Sequence, residues 1–188
     1  MGRLSRQKNN AVRIIGGRWR SRVLHFPDVA GLRPTPDRVR ETLFNWLGQR
    51  LDGWRCLDLF AGSGALGFEA ASRGAAEVVL VERDAKALGA LRENARILVA
   101  GDSVRVFPAE ARGYLSGACG TFDLILLDPP FDSGLLPEML ALAATRLTPK
   151  GKIYAESGNP SEVETAAGLA VLRRTRAGLS HAFLLERV

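Results

Sequence analysis

The chain alternates short apolar runs with amphipathic stretches in a regular order. From residue 54 onward, RCLDLF reads as a strand and ALGFEAASRG as a short helix closed by glycine. EVVLVE is a second strand, and residues 84–98 carry apolar positions at helical spacing. VRVF makes a third strand, residues 110–115 a short helix, and FDLILLD a fourth strand. LLPEMLALAATRL is again amphipathic, and KIYAES is a fifth strand. Residues 168–174 and 182–187 then read as an antiparallel pair around Gly178. Strands alternating with helices predict a doubly wound α/β sheet, mostly parallel, with an antiparallel C-terminal strand.

The first fifth of the chain follows a different pattern. VRIIGGRWRSRVLHFP predicts a hairpin, with Val12 to Ile15 as one strand, Gly16-Gly17 as the turn and Arg18 to Phe26 as the other. Period-two alternation then sets Arg18, Arg20 and Arg22 on one face, with Trp19 and Val23 on the other. In LRPTPDRVRETLFNWLGQRL, Thr35 suits an N-cap, Pro36 a first helical position and Asp37 the positive end of the dipole. Val39, Leu43, Trp46 and Leu47 recur at helical spacing and should face a core. The expected organisation is a basic tail and hairpin over residues 1–34, followed by one α/β domain over 35–188.

Charge sharpens that division. The 188 residues carry a net charge of +6. Residues 1–40 hold ten Lys/Arg, Arg13, Arg33, Arg38 and Arg40 among them, against Asp28 and Asp37, which gives +8; the rest of the chain sums to −2. A segregated basic arm is the footprint of a polyanion binder, so Arg13, Arg18, Arg20, Arg22, Arg33 and Arg38 are candidate RNA contacts. Apolar runs fall far short of the roughly 18 residues that span a bilayer, and the N-terminus MGRLSRQKNN lacks the apolar core of a secretory signal. Two cysteines fit a reducing, cytoplasmic setting, and with only two histidines no metal site is expected.

The first strand of the domain runs into DLFAGSGALGFEA, where Gly62, Gly64 and Gly67 spell GxGxxG. Glu82 closes the next strand, twenty residues after Gly62. In a strand–loop–helix unit this brings backbone close to a ligand and aims a carboxylate at ribose hydroxyls. A side chain in the loop would block the approach. A nicotinamide dinucleotide and S-adenosylmethionine both fit such a loop. Asp58 discriminates, because a carboxylate there repels a pyrophosphate and suits a cationic amino-acid end.

DLFAGSGALG, VERD and LDPPF together resemble the class I S-adenosylmethionine-dependent methyltransferases that act on exocyclic amines of nucleobases. GLRPTPDRVRETLFNWL and RIIGGRWR narrow the resemblance to the ribosomal RNA small subunit methyltransferase D family, over nearly the whole chain. That family methylates N2 of a guanine in bacterial 16S rRNA, so the resemblance implies a Rossmann-like methyltransferase sheet, S-adenosylmethionine as cofactor, and a monomer acting on an assembling small ribosomal subunit. It implies Asp58, Phe60, Gly62, Ser63 and Gly64 around the methionine part of the cofactor, and Glu82 on its ribose. Arg83 would flank the adenine, Glu110 and Ala111 would lie beside its amino group, and Thr35 and Arg40 would belong to a segment closing over it. Many relatives carry Asp or Asn where this chain has Glu110.

LDPPF gains a role on this reading. An exocyclic guanine amine is a weak nucleophile, because its lone pair is delocalised into the ring. Asp128 offers one acceptor and the Pro129 carbonyl a second, held in place by the fixed φ angles of Pro129 and Pro130. Phe131 can stack on a base extracted from its helix. Alignment, rather than strong base catalysis, would supply the rate. Two other readings fit less well. An adenine-N6 methyltransferase of DNA or RNA would more often carry a separate recognition domain. A non-catalytic RNA-binding module would more often show a damaged glycine loop or clamp.

Overall fold

The computed structural model describes residues 10–29, 32, 34–117, 120–164 and 166–188, without the side chain of residue 132. Arg33 and Cys119 lie outside the described residues. Among them, a seven-stranded sheet is built from β3 (Arg55–Asp58), β4 (Glu77–Glu82), β5 (Val104–Pro108), β6 (Phe122–Leu127), β7 (Leu147–Ser157), β8 (Leu169–Ala177) and β9 (Ser180–Arg187). The strand order is β5-β4-β3-β6-β7-β9-β8. Strands β5 to β7 of this order run parallel, and β9 pairs antiparallel with both β7 and β8. The mostly parallel sheet with an antiparallel C-terminal strand is therefore as expected.

Near-continuous apolar strands mean a sheet covered on both faces, and period two sorts their side chains. Cys56, Val78, Leu80, Leu124, Leu126 and Tyr154 line one face, under α1 (Asp37–Trp46), α2 (Ala65–Ser72) and α3 (Ala85–Ile97). Leu57, Val79, Val81, Ile125, Leu127 and Ile153 line the other, under α4 (Ala111–Ser116) and α5 (Leu136–Ala144). A short α6 (Ser161–Glu164) follows β7. Strand order departs in both directions from β3, toward β4 and toward β6. That reversal is the switch point where open α/β sheets take ligands at the carboxyl ends of strands.

The N-terminal hairpin differs from the expectation. Only β1 (Asn10–Arg13) and β2 (Val23–Phe26) pair, Arg13 opposite Val23, and residues 14–22 form a loop. Gly16-Gly17 is not a tight turn between strands. Its glycines let the loop lie on the end of α2: Gly17 has φ +76°, and a Cβ there would sit 2.0 Å from the Ser72 carbonyl oxygen. Arg18 N–H donates to that carbonyl at 2.8 Å, and Trp19 N–H donates to Ser72 Oγ at 2.9 Å. Strand alternation fails as a result. Trp19 and Leu24 are both buried, whereas Val23 is 45% exposed.

Nor does the hairpin pack alone. Val12, Ile14, Trp19, Leu24 and Phe26 share one core with α1, α2 and the sheet. Glu69, buried in α2, ties the pieces together. Its carboxylate accepts from the N–H groups of Ile15 and Gly16 at 2.9 and 2.8 Å, from Arg40 of α1 at 3.2 Å and from Arg73 at 2.9 Å. Arg40 is itself fully buried, with its remaining donors on the carbonyls of Thr35 and Arg13 and on Asp37. Removing one partner of such a pair leaves a buried charge unmatched, at roughly 3–5 kcal/mol. Glu69→Gln should therefore lower unfolding free energy by about 3 kcal/mol in urea titrations, and should open the 14–22 loop to proteolysis at its arginines. A midpoint unchanged from wild type would contradict this account of how the hairpin is held.

Candidate active site

Four neighbouring strands end on or beside an acid at the switch-point edge. Asp58 closes β3, Glu82 closes β4, Asp128 follows β6, and Glu156 stands next to last in β7. The register sets Asp58 opposite Leu126 and Leu126 opposite Tyr154. Asp128 and Glu156 lie two residues further along, so Asp58, Asp128 and Glu156 share one sheet face.

The glycine loop lies above β3. Gly62 N–H donates to Glu82 Oε2 at 2.9 Å, while the N–H groups of Arg83 and Asp84 both donate to Oε1 at 2.8 Å. Three amides thus fix the Glu82 carboxylate, and its remaining lone pairs can accept from a diol. Asp84 caps α3 by accepting from Lys86 and Ala87. The glycines divide the work. Among the described residues, the atoms nearest a Cβ on Gly62 (φ +50°) belong to Leu32 and Phe60, at 3.6 Å and beyond. A Cβ on Gly64 (φ +78°) would instead strike the Phe68 ring at 2.6 Å and Leu91 at 2.7 Å. The core beneath the loop therefore requires Gly64 to lack a side chain, a demand that stands beside the expected approach of a ligand. Gly67 lets α2 approach β3, its N–H donating to Asp58 Oδ2 at 3.0 Å.

The other expected cofactor residues gather at the same edge with differing exposure. Ser63 is buried and its Oγ accepts from Ala65 N–H; Phe60 is half-buried beside the core that includes Leu59. Arg83 and Glu110 form an exposed ion pair at 3.2 Å across the ends of β4 and β5, and Ala111 opens α4 directly after it. Arg40 stands apart, because its guanidinium is buried among protein groups.

Thr35 does not cap α1, whose first position follows Pro36 without a side-chain cap. Its hydroxyl donates to Asp128 Oδ2 at 3.4 Å. Burial, with Glu156 and Asp58 nearby, holds the Asp128 carboxyl well above the ordinary carboxylate range, and the Thr35 hydroxyl partly offsets this. Pro129 is buried, Pro130 exposed, and Phe131 is 47% exposed at the start of a single 3₁₀ turn, Phe131–Ser133. The predicted clamp residues therefore do stand together at one rim.

Glu156 and Tyr154 were missed. Tyr154 OH donates to Glu156 Oε1 at 2.7 Å, and Ser180 Oγ donates to Oε2 at 3.2 Å. Glu156 shares a small recess with Pro129, Pro130 and Phe131, and burial raises its pKa. The signal was present in KIYAES, an acid at the end of an apolar strand like Asp58, Glu82 and Asp128.

The basic residues occupy a different region. Arg13, Arg18, Arg20, Arg22 and Arg38 are all exposed. Arg18 lies over the Trp19 ring and donates to Ser103 Oγ, and Arg22 donates to the Ile97 carbonyl at the end of α3. Arg18, Arg20 and Arg22 line the 14–22 loop rather than one strand face, while Arg13 ends β1 and Arg38 stands in α1. A recess of about 790 Å³ at the C-terminal end of α2 is lined by Arg18, Arg20 and Arg50, with Glu41 and Asp52, and shares no residue with the clamp.

The site's residues fit a ligand that carries a cation and a diol. Asp58 is buried at 2% exposure, and burial, then the nearby Glu82, pushes its carboxyl from 3.8 up to about 7, against the opposing Gly67 N–H. A positive group beside it would favour its charged form.

The chain is similar to known methyltransferases along most of its length. The model of the family described as conserved hypothetical protein 95 matches residues 12–186. The chain is 47% identical over 148 residues to ribosomal RNA small subunit methyltransferase D of Escherichia coli K12, covering 78% of this chain and 74% of that protein. It is 38% identical over 173 residues to the Haemophilus influenzae protein of the same name, covering 89% and 90%. Among solved structures, the methyltransferase fold of yhhF from Escherichia coli superposes with a TM-score of 0.82 at 42% identity, over 95% of this chain and 98% of that one.

The raised Asp58 carboxyl has a consequence for stability. The folded protein binds this proton more tightly than the unfolded chain, so the contribution is present below about pH 4 and is lost as pH rises through about 7. In ligand-free protein at pH 8, Asp58→Asn should stabilise by on the order of 2–4 kcal/mol, a gain that disappears near pH 4. Urea midpoints at the two pH values test this; an equal effect at both would contradict a buried, proton-retaining Asp58.

Proposed function

The chain belongs to the ribosomal RNA small subunit methyltransferase D family, and on that premise we propose that it methylates the exocyclic N2 amine of a guanine in 16S rRNA, using S-adenosylmethionine. The reading extends to a cytoplasmic protein acting on an assembling small subunit. The observation that carries it is Asp128 at the end of β6, bonded by Thr35 and followed by Pro129, Pro130 and a half-exposed Phe131. S-adenosylmethionine supplies an electrophilic methyl group on a sulfonium.

Asp58 would balance the cationic amino-acid end, Glu82 would accept from the ribose hydroxyls, and Arg83, Glu110 and Ala111 would flank the adenine. Phe60, Gly62, Ser63 and Gly64 complete the loop beneath. On the substrate side, Asp128 and the Pro129 carbonyl would hold the two N–H groups of the amine, which turns its lone pair toward the methyl donor. Phe131 would stack on the extruded base. Thr35 leaves the second Asp128 oxygen for the amine. The amine can lose its proton after transfer, so the residues need only align it. Digesting small-subunit rRNA to nucleosides after incubation with methyl-labelled cofactor should give N2-methylguanosine; N6-methyladenosine would favour the adenine reading instead.

The clamp has its own test. Asp128→Ala should nearly abolish transfer, while Asp128→Asn should retain part of it, because the amide oxygen still accepts one hydrogen bond. Cofactor affinity should be largely kept in both. A general base would behave otherwise, with Asn as inactive as Ala and a rate that follows a carboxylate titration. Single-turnover rates across pH separate the two. For the basic region, replacing Arg18, Arg20 and Arg22 with Ala should flatten the salt dependence of RNA binding by up to about three log–log units, roughly one per lost phosphate contact. An unchanged slope would mean that these arginines, and with them Arg13 and Arg38, form a solvated face.

A further inference from the structure

The register places the β8–β9 hairpin beside the clamp. Glu156 pairs with Ala182 and Ser157 with His181, so the hairpin turn lies past the carboxyl end of β7. Ser180 Oγ reaches back to Glu156. On the other side, the Phe131 ring lies against Gly158, 3.6 Å from where a Cβ on that glycine would stand. Clamp ring, strand end and hairpin tip thus form one continuous strip along the sheet edge.

The tip is shaped for contact rather than for packing. Ala177 pairs with Ser180, leaving a two-residue turn of Gly178 at φ +62° and Leu179. Such a turn with glycine first needs no apolar residue second. Leu179 nevertheless occupies that position at 82% exposure. Arg176 donates from Nε to the Gly178 carbonyl at 2.9 Å, which stiffens the turn, and its terminal nitrogens have no partner among the described residues. Arg174, on the same strand face, forms an exposed pair with Glu164.

A nucleotide swung out of an RNA stack leaves its neighbours with exposed base faces, and apolar wedges are the usual filling. We propose that the β8–β9 tip is a nucleic-acid contact of this site, with Leu179 packing against a base that flanks the extruded target and Arg176 binding the adjoining phosphate. The proposal rests on the reading of the protein as an rRNA methyltransferase.

The test compares wild type with Leu179→Ser, Arg176→Ala and the double variant. Thermal midpoints and calorimetric cofactor affinity should be unchanged, since neither side chain contributes to the core or the glycine loop. On protein-free small-subunit rRNA, Arg176→Ala should lower the salt slope of binding by about one. On small-subunit particles, Leu179→Ser should slow single-turnover transfer roughly tenfold, the low end of what burying one leucine side chain contributes. Wild-type rates and slopes in both variants would overturn the tip as an RNA contact and leave the methyltransferase reading intact. Loss confined to small-subunit particles, with protein-free RNA unaffected, would assign the tip to a ribosomal protein and equally overturn the proposal. A wild-type protein that methylates no rRNA would remove both readings together.

Discussion

The buried Glu69–Arg40 pair is the joint on which the site depends. Glu69 stands in α2, immediately behind the glycine loop, and Arg40 stands in α1. The same guanidinium holds the Thr35 carbonyl at 3.1 Å, and Thr35 in turn holds Asp128. A chain of directed bonds therefore runs from the helix that carries the loop to Asp128. An apolar contact at the same place could match this pair in stability. It would not fix an orientation, because dispersion has no preferred direction, whereas Glu69 requires donors from the 14–22 loop, α1 and α2 at once. The N-terminal extension is thus part of the framework that positions Thr35 and, through it, Asp128.

Electrostatics at the edge follows from the sheet. Strands about 4.8 Å apart that each end on an acid bring carboxylates together in a dry environment. Burial is the largest influence on Asp58, Asp128 and Glu156, and each is pushed toward its neutral form. Asp128 is further raised by its two acidic neighbours and lowered by Thr35. A neutral carboxylic acid keeps a carbonyl oxygen as an acceptor but offers a proton where a carboxylate would accept. Positive charge placed beside these acids favours their charged, fully accepting forms. A cationic ligand at Asp58 would supply that charge, which gives a physical reason for the acids to be clustered rather than spread along the rim.

Much of this was legible in the sequence, because period-two strands and GxGxxG followed by an acid at fixed distance are local signals. The sheet, the β3–loop–α2 unit, Glu82 and LDPPF are all of this kind. What failed was set by contacts distant in sequence. The 14–22 loop reads as a strand until Ser72, more than fifty residues away, captures its amide groups. Thr35 has every local feature of an N-cap, yet its hydroxyl is bonded across to Asp128, 93 residues along. For Gly64 the motif shows the loop but not the second demand on it, that a Cβ there would meet Phe68 and Leu91. The packing of Val12, Ile14, Trp19, Leu24 and Phe26 into one core with α1, α2 and the sheet is likewise set by distant contacts.

The free edge of the sheet connects these points to the hairpin. β8 is an edge strand, and an uncovered edge invites pairing with other chains unless charge opposes it. Arg173, Arg174 and Arg176 supply that charge, and all three are exposed. Protection alone would be served by arginines anywhere along the strand and by a polar turn. Instead Arg176 adjoins the turn and stiffens it through the Gly178 carbonyl, and the exposed Leu179 stands next to Ser180, which bonds Glu156. One short strand can therefore meet two needs, because the positive charge that repels a neighbouring sheet edge attracts a phosphate backbone.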